Sequence, residues 1–115
     1  MIGYAGPMKL LPSLPIAAAL AGCAASAAGL ERTAPRLTIE SARPPAAFAA
    51  CAAEAFLADN QLRTDGTRWW VLRMNGWGVP VVRWDFEPRG SGSIAVLRAT
   101  SPFGEGADKV RACAV

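Results

Sequence analysis

Apolar and polar positions alternate most clearly in the second half of the chain. Three runs there read as strands: about Arg68 to Met74, Val79 to Glu87, and Ile94 to Ser101. Loops rich in Gly and Ser separate them, the pattern of an antiparallel meander. Upstream, Leu37-Thr38-Ile39-Glu40 alternates as a short strand does. Between these segments the period lengthens. Pro44-Pro45 opens a helix that runs to about Asp59, with Asn60 as its stop, and it is mostly alanine. Proline is tolerated in a first helical turn and alanine is the best helix former. Phe48, Cys51, Ala52, Ala55 and Phe56 share one stripe at helical spacing, which turns Cys51 toward the core. Asp65-Gly66 marks a turn. The end of the chain, about Gly106 to Ala114, reads as a short helix with Val110 and Cys113 on one face and Asp108, Lys109 and Arg111 mostly on another. The expected fold class is α+β: a three- or four-stranded antiparallel sheet packed on one face by an N-terminal helix and a short C-terminal helix.

Strand parity carries this further. A six-residue loop, Pro88 to Ser93, pairs Glu87 with Ile94. Trp84 then faces Leu97, Phe86 faces Ala95 and Val82 faces Ala99, all on one side of the sheet. The other side holds Arg83 opposite Arg98, with Asp85 beside them. If Arg73 belongs outside, Trp70, Leu72 and Met74 join Trp84 and Phe86 on the core side. An even loop between these strands would reverse that, so an odd loop or a bulge is expected, with Gly76 and Gly78 available for positive φ.

Of the 115 residues, 52% are hydrophobic and 18% are charged; the net charge is +3 and there is no histidine. This length supports one small domain. The first 22 residues stand apart from it. Lys9 is the only charge before Glu31, and the apolar run from Leu10 to Ala21 is broken by Pro12 and Pro15. It is shorter than the roughly 20 residues of a transmembrane helix. A basic residue, a short apolar region and small residues make the layout of a secretory signal peptide. Met8 is an alternative start to Met1.

Leu20-Ala21-Gly22-Cys23 resembles the lipobox of bacterial lipoproteins at every position. The resemblance implies a diacylglyceryl group on the Cys23 sulfur, cleavage before Cys23 and acylation of the new amino terminus. A plain signal peptide with an accidental cysteine is the alternative. Ala24, where an aspartate often retains enteric lipoproteins at the inner membrane, leans toward an outer-membrane location facing the periplasm. Residues 1–22 are then a signal peptide, 23–36 a lipidated flexible tether rich in alanine, and 37–115 the domain.

Cleavage leaves 93 residues and two unlipidated cysteines, Cys51 and Cys113. In an oxidising envelope a small domain gains from a staple, and a Cys51–Cys113 disulfide is expected. Two buried free thiols are the alternative. A metal site is poorly supplied, since two distant cysteines without histidine make at most half a zinc site.

Catalysis is also poorly supplied. Arg89-Gly90-Ser91-Gly92-Ser93 lacks the lysine and spacing of a phosphate loop and reads as a hairpin turn. No serine sits in a G-x-S-x-G elbow. Asp85, Glu87 and Glu105 are the remaining carboxylates, and no spacing selects a pair. The expectation is no enzyme, no cofactor and no metal.

The outward sheet face is the candidate ligand surface. A three-residue first loop would set Trp69 opposite Arg83, beside Arg98 and Asp85. Two arginines facing each other are unfavourable. Relief can come from Asp85, from stacking on Trp69, or from an anionic envelope ligand such as a glycan, peptidoglycan or a lipid headgroup. The plainer reading is a solvated face whose arginines lie over Trp69 and Val81. Trp77 sits in a turn, where it can dock a partner or fold back over the sheet edge. With +2 after cleavage, nucleic acid is not an expected partner.

Pro45-Ala46-Ala47-Phe48-Ala49-Ala50-Cys51, the run Arg83 to Ser93, and Val110-Arg111-Ala112-Cys113 together resemble a group of small proteobacterial lipoproteins. No activity carries over from that group. The motifs of lysozyme-inhibiting lipoproteins and of the small subunits of outer-membrane assembly machinery do not occur here. The resulting expectation is a non-catalytic envelope lipoprotein, anchored to the membrane through Cys23, with a structural or interaction role in an envelope protein complex or on peptidoglycan. The alternative is a binding module for an anionic envelope ligand.

Overall fold

In a computed structural model, residues 26–58, 61–100 and 105–115 are described. The elements are α1 (Ala27–Glu31), β1 (Leu37–Ser41), α2 (Pro45–Ala55), β2 (Leu62–Thr64), β3 (Trp69–Met74), β4 (Pro80–Arg89), β5 (Gly92–Ala99) and α3 (Ala107–Cys113). The strands form one antiparallel sheet in the order β1-β5-β4-β3-β2. The fold is α+β as expected, but the sheet has five strands rather than three or four. The extra strand is β2, three residues whose brevity hid it in the pattern.

The β4–β5 register is the expected one. Trp84 pairs with Leu97, Phe86 with Ala95, Val82 with Ala99, Arg83 with Arg98 and Glu87 with Ile94. The hairpin is tighter than the expected six-residue loop. Pairing continues through Pro88–Ser93 and Arg89–Gly92, leaving Gly90-Ser91 at the turn. Gly90 has φ +58°, the left-handed conformation that glycine adopts without a Cβ clash.

The parity of β3 is the reverse of the expectation. Trp69 pairs with Phe86, Val71 with Trp84 and Arg73 with Val82, so these three share the core face. Trp70 and Leu72 lie on the other face, opposite Asp85 and Arg83. The odd loop and the bulge both exist. Met74 pairs with Pro80 across Asn75 to Val79, and the register then shifts between Arg73 and Met74, leaving Val81 over. Each alone would have produced the expected parity; together they cancel. The mistaken premise was that Arg73 must face solvent. It lies at the end of the core face with its guanidinium 4.6 Å from the Phe56 ring centroid, a placement a long amphipathic side chain tolerates.

The core gathers on that face. Trp84, Phe86, Val71 and Leu97 meet Phe48, Ala52 and Ala53 of α2 and Val110 of α3. The Phe48 and Phe86 rings meet edge to face, with centroids 4.9 Å apart, a favoured aromatic geometry. The Trp84 indole N–H donates to the Glu105 carbonyl at 2.7 Å, so its burial leaves no donor unpaired. The described helix α2 stops at Ala55, short of the expected Asp59. Leu57 then adopts φ +57°, and the Leu57 and Ala58 amides donate back to the Glu54 and Ala53 carbonyls. This is a Schellman cap with leucine where glycine is usual. The expected stop at Asn60, like Asp59, lies outside the described residues.

Cys51 and Cys113 form a disulfide between α2 and α3, with Cα atoms 5.8 Å apart. Arg43 donates to the Cys113 carbonyl at 2.9 Å and Ser41 to the Ala114 carbonyl at 2.7 Å, which satisfies the end of α3.

Residues 26–36 depart from a flexible tether. Ser26 caps α1 by accepting from the Gly29 amide, and Leu30 is fully buried. The segment packs on β4 and β5, on the sheet face away from α2 and α3. An apolar residue at Leu30, with Leu72, Ile94 and Val96 buried on that face, outweighs the weak periodicity of an alanine-rich run.

Candidate functional site

Asp85 is the centre of the outer sheet face. It lies two residues from Arg83 on β4, so both side chains point the same way. Arg83 donates from Nε to Asp85 Oδ2 at 2.9 Å and from Nη2 to Oδ1 at 2.8 Å, a bidentate pair. Arg98, directly across on β5, donates to Oδ2 at 3.3 Å. Arg68 approaches Oδ1 at 3.9 Å and also pairs with Glu31. The repulsion between facing arginines is thus answered by a shared carboxylate.

The cluster also holds α1. Arg83 Nη1 donates to the Ala27 carbonyl at 3.1 Å and Arg98 Nε to the Thr33 carbonyl at 3.0 Å. Beneath them the Arg83 guanidinium lies 4.7 Å from the Trp70 ring centroid, with Arg68 at 5.8 Å. The Arg68 hydrogen bond, reinforced by the charges of Arg83 and Arg68, holds the Glu31 carboxyl below its ordinary range against an opposing burial effect. The same bond to Glu31 raises Arg68. Backbone amides of Arg68 and Thr67 lower Asp65 in the β2–β3 turn.

Arg83, Arg98 and Asp85 therefore meet as expected, but Trp69 is on the core face and Trp70 is the stacking partner. The face is not open. Asp85 is 0% exposed and Arg83 3%, covered by a segment expected to be loose. Parity misled on Trp70, and Glu31, Arg68 and Leu30 were missed. Their signal was the outer-face apolar pair Ile94 and Val96, which needs a cover. The remaining candidate carboxylates do not converge. Glu105 pairs with Arg36 and receives the Trp84 indole on the core side, whereas Asp85 and Glu87 are on the outer face.

Cys23, the expected lipidation site, lies outside the described residues. Trp77 is 90% exposed, at a turn fixed by the Asn75 side chain, which accepts from the Trp77 and Val79 amides. Among the described residues no group of three or more His, Cys, Asp or Glu can hold a metal ion, and no helix is long and apolar enough to cross a membrane. The chain matches no family model, no curated protein and no solved structure.

Proposed function

We propose that the chain is a bacterial envelope lipoprotein, acylated at Cys23 and residing at the outer membrane on its periplasmic side. Its role there is structural or an interaction within an envelope complex or on peptidoglycan. The observation that carries this is the fate of the cysteines. Cys51 and Cys113 are bonded to each other, as suits an oxidising compartment. The third cysteine of the chain stands at the lipobox position.

A non-catalytic role fits the way the charged groups are used. Asp85, Glu31 and Glu105 are each engaged by arginines that hold segments of the fold together. The helices α2 and α3 pack on one face of the sheet, and on the other α1 covers Arg83 and Asp85. A ligand site at Arg83 and Arg98 would require α1 to leave the face it covers.

The test is fractionation of cells producing the full chain and its Cys23→Ser variant. The protein is expected in the membrane fraction, released only by detergent. The variant should remain as unprocessed precursor. Equal behaviour of the two would overturn the reading.

A further inference from the structure

The clamp on α1 sets how far the domain can stand from its anchor. The described residues begin at Ser26, whose hydroxyl accepts from the Gly29 amide at 3.0 Å. Arg83 and Arg98 hold the carbonyls of Ala27 and Thr33. Only Ala24 and Ala25 separate Ser26 from Cys23. Three Cα steps span at most about 11 Å. The headgroup layer on one side of a bilayer is itself about 5–8 Å deep. An anchor on Cys23 therefore leaves Ser26 at, or only just above, the headgroups. A loose tether through residue 36 would instead have reached roughly 50 Å.

Charge points the same way. From Cys23 onward the chain has eleven Lys and Arg against nine Asp and Glu. Beside α1, Arg68, Arg83 and Arg98 are matched by Glu31, Asp65 and Asp85, and Arg32 and Arg63 add a formal excess of two. Arg32, which ends α1, and Arg63, opposite Trp70 on the outer face, are exposed, as is Ala28. At the other end of that face Glu40 and Glu87 flank Ile94, and Arg89 lies 3.8 Å from the Glu40 carboxylate. Exposed basic residues close to a membrane are attracted to anionic headgroups.

We infer that the α1 side of the sheet docks on the surface of the bilayer that holds the anchor, with α3 turned away from it. The inference rests on acylation of Cys23. The test uses the acylated full chain in vesicles of phosphatidylethanolamine and phosphatidylglycerol. Spin labels are placed singly at Ala28→Cys and Lys109→Cys, and their collision with a water-soluble paramagnetic reagent is measured. With Cys51 and Cys113 bonded, each label has one thiol to take.

The expected result is several-fold lower accessibility at position 28 than at position 109. A Gly-Ser spacer inserted between Ala25 and Ser26 keeps every described contact and should bring position 28 close to position 109. Equal accessibility in the unextended chain, with an acylated Cys23 confirmed by mass, overturns the docking while the lipoprotein reading stands. An unchanged position 28 after insertion of the spacer overturns the stand-off limit as its cause. An unacylated Cys23 overturns both readings.

Discussion

Arg83 and Asp85, two residues apart on one strand, bind each other through two hydrogen bonds with almost no solvent at either side chain. Asp85 also compensates Arg98. Asp85→Asn is therefore expected to leave two arginines with less counter-charge. Breaking a buried pair from one side typically costs about 3–5 kcal/mol. Urea unfolding should show a loss on this scale for Asp85→Asn. A change below about 1 kcal/mol, the median worth of a surface pair, would mean the cluster is solvated.

The disulfide should matter as a staple. It joins positions 62 residues apart, and the chain-entropy model gives about 4 kcal/mol for closing a loop of that size. The Cys51→Ala, Cys113→Ala double variant should unfold at a markedly lower denaturant midpoint, and reduction of the parent should reproduce the shift.

Leu57 offers the opposite sign. Its backbone is left-handed and its side chain 91% exposed. Leucine in that conformation costs roughly 1–2 kcal/mol relative to the ordinary basin. Part of this is offset by the extra unfolded-state freedom of glycine. Leu57→Gly should raise the thermal midpoint modestly, by about 1 kcal/mol of stability.

Gly92 permits the β1–β5 contact. A Cβ built there would stand 2.1 Å from the Ser41 carbonyl oxygen and 2.9 Å from the Ala42 Cα, both backbone atoms. Gly92→Ala should destabilise by roughly 1–3 kcal/mol, with amide exchange rising first along Glu40 and Ser41. Gly76→Ala, where a Cβ meets nothing within 4 Å and φ is not left-handed, is the control and should be close to neutral.

Acid should loosen α1. The folded-state carboxyl of Glu31 is lowered, chiefly by Arg68, so its contribution is fully present above the ordinary carboxyl range. It is lost as pH falls through the lowered value. Amide shifts of Gly29 to Thr33 in an acid titration should move in that window. Glu31→Gln should abolish the pH dependence of the movement.

Legibility in the sequence followed the strength of local alternation. The β4–β5 pairing could be read because Arg83 and Asp85 interleave with Val82, Trp84 and Phe86, which fixes the faces, and the short Pro88 to Ser93 connection fixes the register. In β3 adjacent tryptophans leave parity undecided, so it hung on Arg73. Its reach to Phe56 and the bulge at Val81 are tertiary facts. The arginine cluster was legible as a juxtaposition but not as a buried one. Its cover, α1, is a single turn of alanine and glycine around Leu30, too short to show a period. The better signal was an outer face that keeps Ile94 and Val96, since a solvated face would have little use for them.

The most direct measurement is the non-reduced intact mass of the protein extracted with detergent from membranes of producing cells. The expected mass is that of a chain beginning at Cys23 and carrying a diacylglyceryl group and an amide-linked acyl chain, with Cys51 and Cys113 lacking their thiol hydrogens. An N-terminus elsewhere, or an unmodified Cys23, would contradict the lipoprotein reading.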